Sequence, residues 1–334
     1  MALAYTLGDI AKRLDPNGKV DKIVEIMNGT NEFLDDMLHV EGNLPTGHKT
    51  TVRTGLPSVT WRMLNYGVQP SKGNTAQITD TCGMLEAYAQ IDKKLADLNG
   101  NAMEFRLSED KAFIEAMTQE YASTLIYGDQ SSPEKFVGLA PRYSTRNTAK
   151  AASAANVIDG GGSGSTNTSI WLVGWGDNTV HGIYPKGSTG GLKMEDLTAG
   201  NPAGITLYDA AGGMYQGYRS HYTWDTGLTV RDWRYAVRIA NIDVTALTKN
   251  ASAGADLIDL MTQALETIQS LNGVKASFLC SRGVRSFLRR QITAKTTYQL
   301  TEENVAGKPA ITFAGVPVRR VDAILSTEAT VTAV

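Results

Sequence analysis

The residues that could carry out chemistry in this chain do not have the spacing that catalytic motifs require. No G-x-S-x-G occurs, and Gly162-Ser163-Gly164 lies in a polar run rich in Gly and Ser, which is typical of a flexible linker. Gly307-Lys308 is followed by Pro309, where a phosphate-binding loop needs serine or threonine. The motifs of a serine hydrolase and of a P-loop enzyme are therefore absent from the sequence.

The sequence also lacks the patterns of metal-binding and dinucleotide-binding sites. The chain has four histidines, His39, His48, His181 and His221. They never reach the spacing of a metal-binding motif with one another, so each is predicted to be a surface or strand residue. Gly174 and Gly176 do not precede a predicted helix, so the sequence lacks the glycine motif of dinucleotide-binding proteins. The sequence predicts no enzyme, no catalytic residue, no metal site and no cofactor.

Two groups of residues remain as candidate binding surfaces. The first is a set of cations in and after a predicted helix: Arg282, Arg285, Arg289, Arg290 and Lys295. They could contact a phosphate backbone, although a solvated or subunit-contacting face is the simpler interpretation. The second is a set of Trp and Tyr residues between Ser169 and Val244, which could form a platform for a carbohydrate. Buried packing is the more common role of aromatic residues at strand spacing.

Composition narrows the classes of partner. With 32 basic and 34 acidic residues the formal net charge is −2, so the chain has no overall field to hold a polyanion or an anionic membrane. No apolar run reaches the roughly 18 residues that span a bilayer. The 334 residues, 42% of them hydrophobic, are enough for two or three sub-domains with a core. Any contact with nucleic acid must be local, and no membrane contact is expected.

The N-terminal part of the sequence shows little sign of a core of its own. Up to about Asn43, short amphipathic pieces are separated by turn formers, and each piece is too short to be stable alone as a helix. From Thr50 to Asp80, residues that favour extended chain flank LNYGVQPSKGN, which predicts a long two-stranded excursion with a turn. Its apolar residues are sparse, so we expect them to be buried against another molecule.

Helices are predicted next, followed by sheet. Residues 84–98 are typical of a helix, and a longer helix is expected from its cap at Ser108 to its stop at Gly128. Aromatic and β-branched residues predict a β-sheet over 169–244. A final α/β unit is predicted from a helix beginning at Ala255, the strand VKASFLC, a helix from Ser281 through Arg290, and the strand ITFAGVPVRRVDAIL.

In this order, the elements resemble those of the major capsid proteins of tailed bacteriophages, with the fold named after phage Hong Kong ninety-seven. The resemblance is carried by the extended loop TGLPSVTWRMLNYGVQPSK, by the spine-like helix AFIEAMTQEYASTLIYGD with SSPEKFVGLAPRY after it, and by WLVGWGDNTVHGIYPKG and YTWDTGLTVRDWRYAVRIANID. Over nearly its whole length, the sequence is similar to podovirus-type capsid proteins of comparable size.

The resemblance implies an α+β capsid-type fold. Its parts would be an N-terminal arm (1–48), an extended β-hairpin loop (49–81), a peripheral domain (82–245) with a spine helix at 108–128 and an aromatic β-sheet at 169–244, and an α/β axial domain with a C-terminal tail (246–334). One departure concerns the long peripheral strand pair. Its best candidate, residues 222–244, precedes the axial domain instead of following it, so a rearranged connectivity is one expectation.

The implied function is self-assembly, as pentamers and hexamers, into an icosahedral virion head that encloses double-stranded DNA, with assembly in the bacterial host cytoplasm. The implied partners are further copies of the chain, a portal protein, a cement or scaffolding protein, and packaged DNA through weak non-specific contact. The expected intersubunit contacts are Arg53, Trp61, Arg62, Lys72, Arg285 and Arg289. Two alternatives stay open: an encapsulin-like compartment shell and, from another class, an aromatic carbohydrate-binding protein.

Overall fold

The computed structural model describes residues 31–97, 102–201, 203–209, 211–249, 254–294, 300–305 and 308–333. The described residues group into two compact units. The smaller unit contains Met84–Ala122 and Gly191–Asp225, and the larger unit contains Asn31–Gly83, Ser123–Gly190 and Thr226–Val334. The chain passes between the units within two long strands and one long helix, so these three elements contribute residues to both.

The described residues form a mixed set of helices and strands. The α-helices are α1 (Lys93–Ala96), α2 (Ala102–Tyr127), α3 (Leu139–Arg142), α4 (Leu257–Thr267) and α5 (Arg282–Ala294). The strands are β1 (His39–Glu41), β2 (Gly47–Gly55), β3 (Asn74–Asp92), β4 (Val157–Asp159), β5 (Asn167–Trp175), β6 (Val180–Tyr184), β7 (Lys193–Asp196), β8 (Ile205–Tyr208), β9 (Met214–Val230), β10 (Ala236–Asp243), β11 (Lys275–Cys280), β12 (Leu300–Val305), β13 (Lys308–Phe313) and β14 (Val316–Arg320). This composition confirms the predicted α+β fold class.

Strand β3 continues well beyond the extended loop, so the helix predicted over 84–98 was wrong. Met84, Glu86 and Tyr88 are exposed, whereas the alternate residues Ala89 and Ile91 are buried. This period of two is the burial pattern of a strand with one covered face. The Leu, Glu, Ala and Gln residues of the segment favour a helix locally, and strand pairing with tertiary packing overrides that preference.

The spine helix α2 begins at Ala102 instead of Ser108, so Ser108 is an internal residue and not the predicted cap. The physical reason lies in the first turns of the helix, where Phe105 is buried in a small core with Ile91 and Ala96. This packing stabilises the first turns of the helix, which intrinsic helix propensity alone does not predict.

The C-terminal end of the spine helix agrees with the prediction, because α2 ends at Tyr127 and Gly128 follows. The Gly128 N–H donates to the Thr124 carbonyl oxygen at 2.7 Å. A Cβ at Gly128 would lie 2.2 Å from the Phe136 carbonyl oxygen, so any larger residue would displace the returning chain. Glycine is required here by close approach of the backbone.

In the smaller unit, α2 covers one face of a strand layer. Strands β7 and β8 each pair antiparallel with β9. Phe113 of α2 stacks on Tyr222 of β9 with ring centroids 6.1 Å apart, and Tyr121 stacks on Trp224 at 4.4 Å. Successive side chains of a strand alternate between faces, so His221 lies on the face away from these stacking residues.

In the larger unit, the strand order is β4-β10-β5-β11-β14-β13-β12. The β4–β10 and β11–β14 pairs are parallel, and the other pairs are antiparallel. Every residue of β5 is buried. The core combines residues of β5 and β10 with residues of α4, α5, β11 and β14, including Ile170, Leu172, Val237, Ile239, Leu257, Met261, Phe278, Val284, Leu288 and Val318.

Two details of the larger unit differ from the sequence predictions. The segment predicted as one strand, ITFAGVPVRRVDAIL, contains the antiparallel pair of β13 and β14, with Phe313 opposite Val316. The residues between them, Ala314 and Gly315, have φ values of 49° and 82°, which suits a two-residue hairpin turn. Trp233 lies in a 3-10 helix (Trp233–Tyr235) and not in a strand.

The predicted domain boundaries after residues 48, 81 and 245 stay predictions. No helix within the described ranges combines the length and apolar character needed to cross a membrane.

Candidate assembly surfaces

The extended hairpin is formed by β2 and the first half of β3. The two strands pair antiparallel from Gly47 opposite Thr81 to Arg53 opposite Thr75, with an irregularity before Gly55. Residues 56–73 form the tip, which is closed in part by the Ser71 hydroxyl donating to the Ser58 carbonyl oxygen at 2.7 Å. The Thr-rich strand sequence and the Gly- and Pro-containing tip produce this shape, as the sequence predicts.

The tip exposes a large apolar surface. Trp61 is fully exposed, and six further apolar side chains are at least half exposed: Leu56, Val59, Met63, Leu64, Tyr66 and Val68. Monomeric soluble proteins rarely expose a contiguous apolar patch of this kind unless it is an interaction site. The tip therefore has the character of a surface that becomes buried on association.

The charged residues of the hairpin are all basic. Residues 43–79 contain Lys49, Arg53, Arg62 and Lys72, and no Asp or Glu. Arg53, Arg62 and Lys72 are exposed and have no salt bridge within the described residues. The three cations and Trp61, all proposed contact residues, are thus placed together on one projecting element.

At its base, the hairpin is held by two polar clusters that sequence reasoning missed. Asp80 of β3, which is 5% exposed, accepts hydrogen bonds from Arg142 at 2.8 Å and from the Thr229 hydroxyl at 2.5 Å. His48 of β2 lies 3.3 Å from Arg231, measured from Nε2 to Nη2. No local spacing signals these pairs, because their members are 62 to 183 residues apart.

His48 also lies next to His181 of β6, with ring centroids 6.1 Å apart. Burial lowers the pKa of His181 to about 4, and the Arg231 guanidinium adds to this shift. Burial lowers the pKa of His48 as well, again with a contribution from Arg231. Both imidazoles are therefore neutral at pH 7.

The end of the predicted arm is anchored on its own subunit. Phe33 is completely buried and stacks on Trp175 at a centroid distance of 6.5 Å. Asp36 accepts two hydrogen bonds from Arg319, at 2.6 and 2.7 Å. The expectation that the arm lacks a core of its own up to about Asn43 was therefore wrong for this segment. Most of the predicted arm, residues 1–30, lies outside the described residues.

The basic helix α5 is partly used within the subunit. Arg285 pairs with Glu32 at 3.2 Å, and its side chain is 19% exposed. Arg282 pairs with Asp322 at 3.1 Å. Arg289 is exposed. Lys295 lies outside the described residues. The helix therefore presents Arg289 outward while Arg285 faces the anchored segment.

The aromatic residues of the sheet do not form a ligand platform. Trp171, Trp175 and Tyr222 are at most 2% exposed, and Trp224 is 8% exposed. The Trp175 indole N–H donates to the Ser277 hydroxyl at 3.0 Å inside the larger unit. These residues serve packing, which was the simpler of the two interpretations.

The long spine helix, the projecting hairpin and the α/β core together define the shell-forming fold of phage capsid subunits. A family model described as "Major capsid protein GP7" matches residues 15–332, and the chain belongs to this family. It is therefore a major capsid protein of a tailed phage and forms the virion shell together with further copies of itself.

Solved structures agree with this assignment. The chain is 37% identical to the protein in the near-atomic structure of bacteriophage Epsilon15, over 99% of both chains, with a TM-score of 0.76. The bacteriophage JBD30 capsid has the same fold at 8% identity, with 90% of this chain and 93% of that chain covered and a TM-score of 0.50.

An encapsulin from Synechococcus elongatus is more distant, at 11% identity and a TM-score of 0.44 over 73% of this chain and 98% of that chain. A search of curated protein sequences gave no significant match. Family membership thus decides for the phage capsid over the encapsulin and carbohydrate-binding alternatives.

Proposed function

We propose that the extended hairpin of each subunit docks on a second copy and that this contact holds pentameric and hexameric capsomers of an icosahedral head together. The observation that carries the proposal is the exposure of Trp61 and six further apolar side chains on an element that has no core of its own. Burying such a surface between subunits stabilises the assembly by the hydrophobic effect.

Charge supports a particular acceptor on the second copy. The hairpin residues 43–79 have four basic and no acidic residues, whereas the smaller unit has 12 acidic and six basic residues over 84–122 and 191–225. Opposite charges on two surfaces steer association and fix its orientation. We therefore propose the smaller unit of a neighbouring subunit as the surface that receives the hairpin.

Within the smaller unit, the face opposite α2 suits this role. It exposes Met84 and Tyr88, and it carries the carboxylates of Glu86 and Glu195 on either side of His221. The apolar and acidic groups of this face can contact Trp61 and Arg62 of the tip. Arg219 and Lys193 also belong to this unit, and Arg219 lies over the Tyr88 ring at 5.9 Å.

The test is the Trp61→Ala variant. We expect the variant subunit to fold, with unchanged circular dichroism and unfolding midpoint, and to lose assembly, because each truncated contact costs roughly 2 kcal/mol and recurs around every capsomer. Tyr208→Ala is the matched control, since Tyr208 is an exposed aromatic residue of β8 and not of the hairpin. Normal assembly of Trp61→Ala, measured by sedimentation, would exclude the proposed contact.

Arg62→Glu tests the acceptor separately. This reversal should impair assembly at low salt, and Glu195→Arg on the same chain should restore part of it if the two groups meet across subunits. If Arg62→Glu impairs assembly and Glu195→Arg gives no recovery, the hairpin role stands and this acceptor face is wrong.

The roles of the other contact residues and of the other partners are proposed from membership of the capsid protein family. Arg53 and Lys72 would add charge contacts along the hairpin, and Arg285 and Arg289 would contact neighbouring α/β cores. A portal protein, a cement or scaffolding protein and packaged double-stranded DNA would be further partners, with assembly in the bacterial cytoplasm. This role is structural and requires no catalytic group.

A further inference from the structure

The two buried histidines at the hairpin base are arranged so that an additional proton on either ring has no hydrogen-bond acceptor. His48 is the second residue of β2, and its Nε2 faces an Arg231 N–H at 3.3 Å. Its Nδ1 faces the backbone N–H of Asn43, also at 3.3 Å. A neutral imidazole has one lone pair, and the charged form has none. Neutral His48 can therefore accept from only one of these two N–H groups, and protonation leaves neither of them with an acceptor on the ring.

His181 has a comparable constraint on the neighbouring strand β6. Its Nδ1 lies 3.2 Å from the Gly176 carbonyl oxygen, which assigns the proton of the neutral ring to Nδ1. Its Nε2 is buried and has no hydrogen-bond partner among the described residues. A second proton would place a buried N–H without an acceptor, which costs free energy in addition to the burial of the charge.

The carboxylates of Asp80 and Asp177 offset only part of a positive charge on the pair, because burial and the Arg231 guanidinium lower the pKa of both histidines by more. Arg231 is held in place by the Asp177 carbonyl oxygen at 3.0 Å and by Asn178 Oδ1 at 3.1 Å. The Asp177 carboxylate is 61% exposed and lies 3.7 Å from Arg231. Asp80 on β3 is engaged by Arg142 and Thr229.

The other titratable neighbours are cationic or neutral. Lys49 follows His48 on β2, and its side chain is exposed. His39 of β1 pairs in register with Gly182, next to His181, and burial lowers the pKa of His39 as well. Protonation of His48 and His181 would thus place three positive charges, including Arg231, around the first residues of the hairpin.

We propose that His48, His181 and Arg231 form a proton-sensitive hinge: at neutral pH it fixes the extended hairpin to β6, and on acidification it releases the hairpin base. The hinge concerns the base of the hairpin alone, so it is independent of which surface the tip contacts. The position is suited to control, because His48 lies at the start of β2 and the buried part of that strand ends at Thr50. A local opening there changes the direction of the whole hairpin.

The sign and size of the effect follow from linkage. A histidine whose pKa is lower in the closed state than in the open state binds more protons when the base opens, so opening is favoured as the pH falls below about 6.5. With the closed-state value of about 4 for His181, lowering the pH from 7 to 5 favours the open state by about twentyfold. His48 acts in the same direction.

Hydrogen–deuterium exchange of the full-length protein tests the hinge directly. Peptides covering 44–55 and 74–82 are followed at pH 7.0 and 5.0, corrected for intrinsic exchange, with a peptide of the buried strand β5 as an internal reference. We expect the opening of the hairpin base to increase about twentyfold relative to β5. An unchanged opening equilibrium would overturn the proposal.

Variants separate the hinge from a general effect of acid. His48→Gln and His181→Gln should each reduce the increase, because each removes one of the two titrating rings. The same increase of about twentyfold in the double variant His48→Gln/His181→Gln would overturn the proposal.

If the His181 variant does not fold, the imidazole C2 exchange rates of wild-type protein give both titration midpoints directly. Midpoints well below 6.5 support the hinge, and midpoints near 6.5 for both rings overturn it.

Discussion

The Arg238 guanidinium and the Glu328 carboxylate form an ion pair at 2.9 Å in the interior of the larger unit, where their side chains are 5% and 4% exposed. Glu328 also accepts from the Tyr127 hydroxyl at 2.5 Å and from the Ser169 hydroxyl, and Arg238 donates to the Tyr143 carbonyl oxygen at 3.0 Å. Burial and Glu328 raise the pKa of Tyr127. This network ties the C-terminal segment to the end of the spine helix and to β5 and β10.

Removal of the charge of one partner of this pair is expected to lower the stability of the subunit strongly. Glu328→Gln leaves the Arg238 charge buried without a counter-charge, so the free energy of unfolding should fall by about 3–5 kcal/mol. Urea denaturation of the unassembled subunit measures the change.

The control for this prediction is Arg234→Gln, which removes the more exposed Arg234–Asp232 pair and should cost less than about 1 kcal/mol. An equal loss in the free energy of unfolding for the two variants would show that the buried pair stabilises the subunit no more than the exposed pair does.

A second prediction separates the roles of two arginines of α5. Arg285→Glu should destabilise the subunit, because it places a like charge beside Glu32, and the double variant Arg285→Glu/Glu32→Arg should recover stability. Arg289→Glu should change the free energy of unfolding by less than about 1 kcal/mol, since interactions of an exposed side chain contribute little to stability.

Assembly is then measured on the variants that fold. Loss of assembly by Arg289→Glu would support its intersubunit role. No recovery in the double variant would mean that the contact of Arg285 with Glu32 does not stabilise the subunit.

Two deletions distinguish the anchored segment from the residues before it. Removal of residues 2–30 leaves Phe33, Glu32 and Asp36 in place, so the larger unit should keep its stability. Removal of residues 2–43 also deletes the buried Phe33 ring and the Asp36–Arg319 pair, and should lower the free energy of unfolding by at least about 3 kcal/mol. Thermal unfolding of the two proteins provides the comparison, and similar midpoints would contradict the anchoring role.

The two cysteines should differ in reactivity. Burial raises the pKa of the Cys280 thiol to about 12, whereas Cys82 is half-buried on β3. Because the thiolate is the reactive species, a rise from 9 to about 12 reduces the thiolate fraction of Cys280 by about a thousandfold at pH 8. Alkylation of the native protein followed by mass spectrometry should therefore label Cys82 first, and equal labelling would contradict the burial of Cys280.

Several parts of the architecture were predictable because their signals are local. The hairpin follows from a stretch that favours extended chain, carries a turn and has too few apolar residues for a core. Gly128 ends the spine helix as its sequence position indicates, and the helix beginning near Ala255 is marked by a regular apolar stripe. The strand VKASFLC coincides with β11 to within one residue.

Other features depend on contacts between residues that are distant in sequence. Residues 84–92 form a strand although their composition favours a helix, since pairing and burial in the tertiary structure outweigh intrinsic helix propensity. Similarly, the start of the spine helix at Ala102 depends on the burial of Phe105 against Ile91 and Ala96.

The sequence by itself determined that the chain has an unsupported hairpin, a long helix and a sheet-rich remainder, since periodicity and turn formers are properties of short segments. Only the tertiary structure decided which polar groups meet. His48 and Arg231 are 183 residues apart, and Arg238 and Glu328 are 90 apart. Their pairing depends on the register and packing of strands from separate parts of the chain, and no local preference encodes the distance between two such side chains.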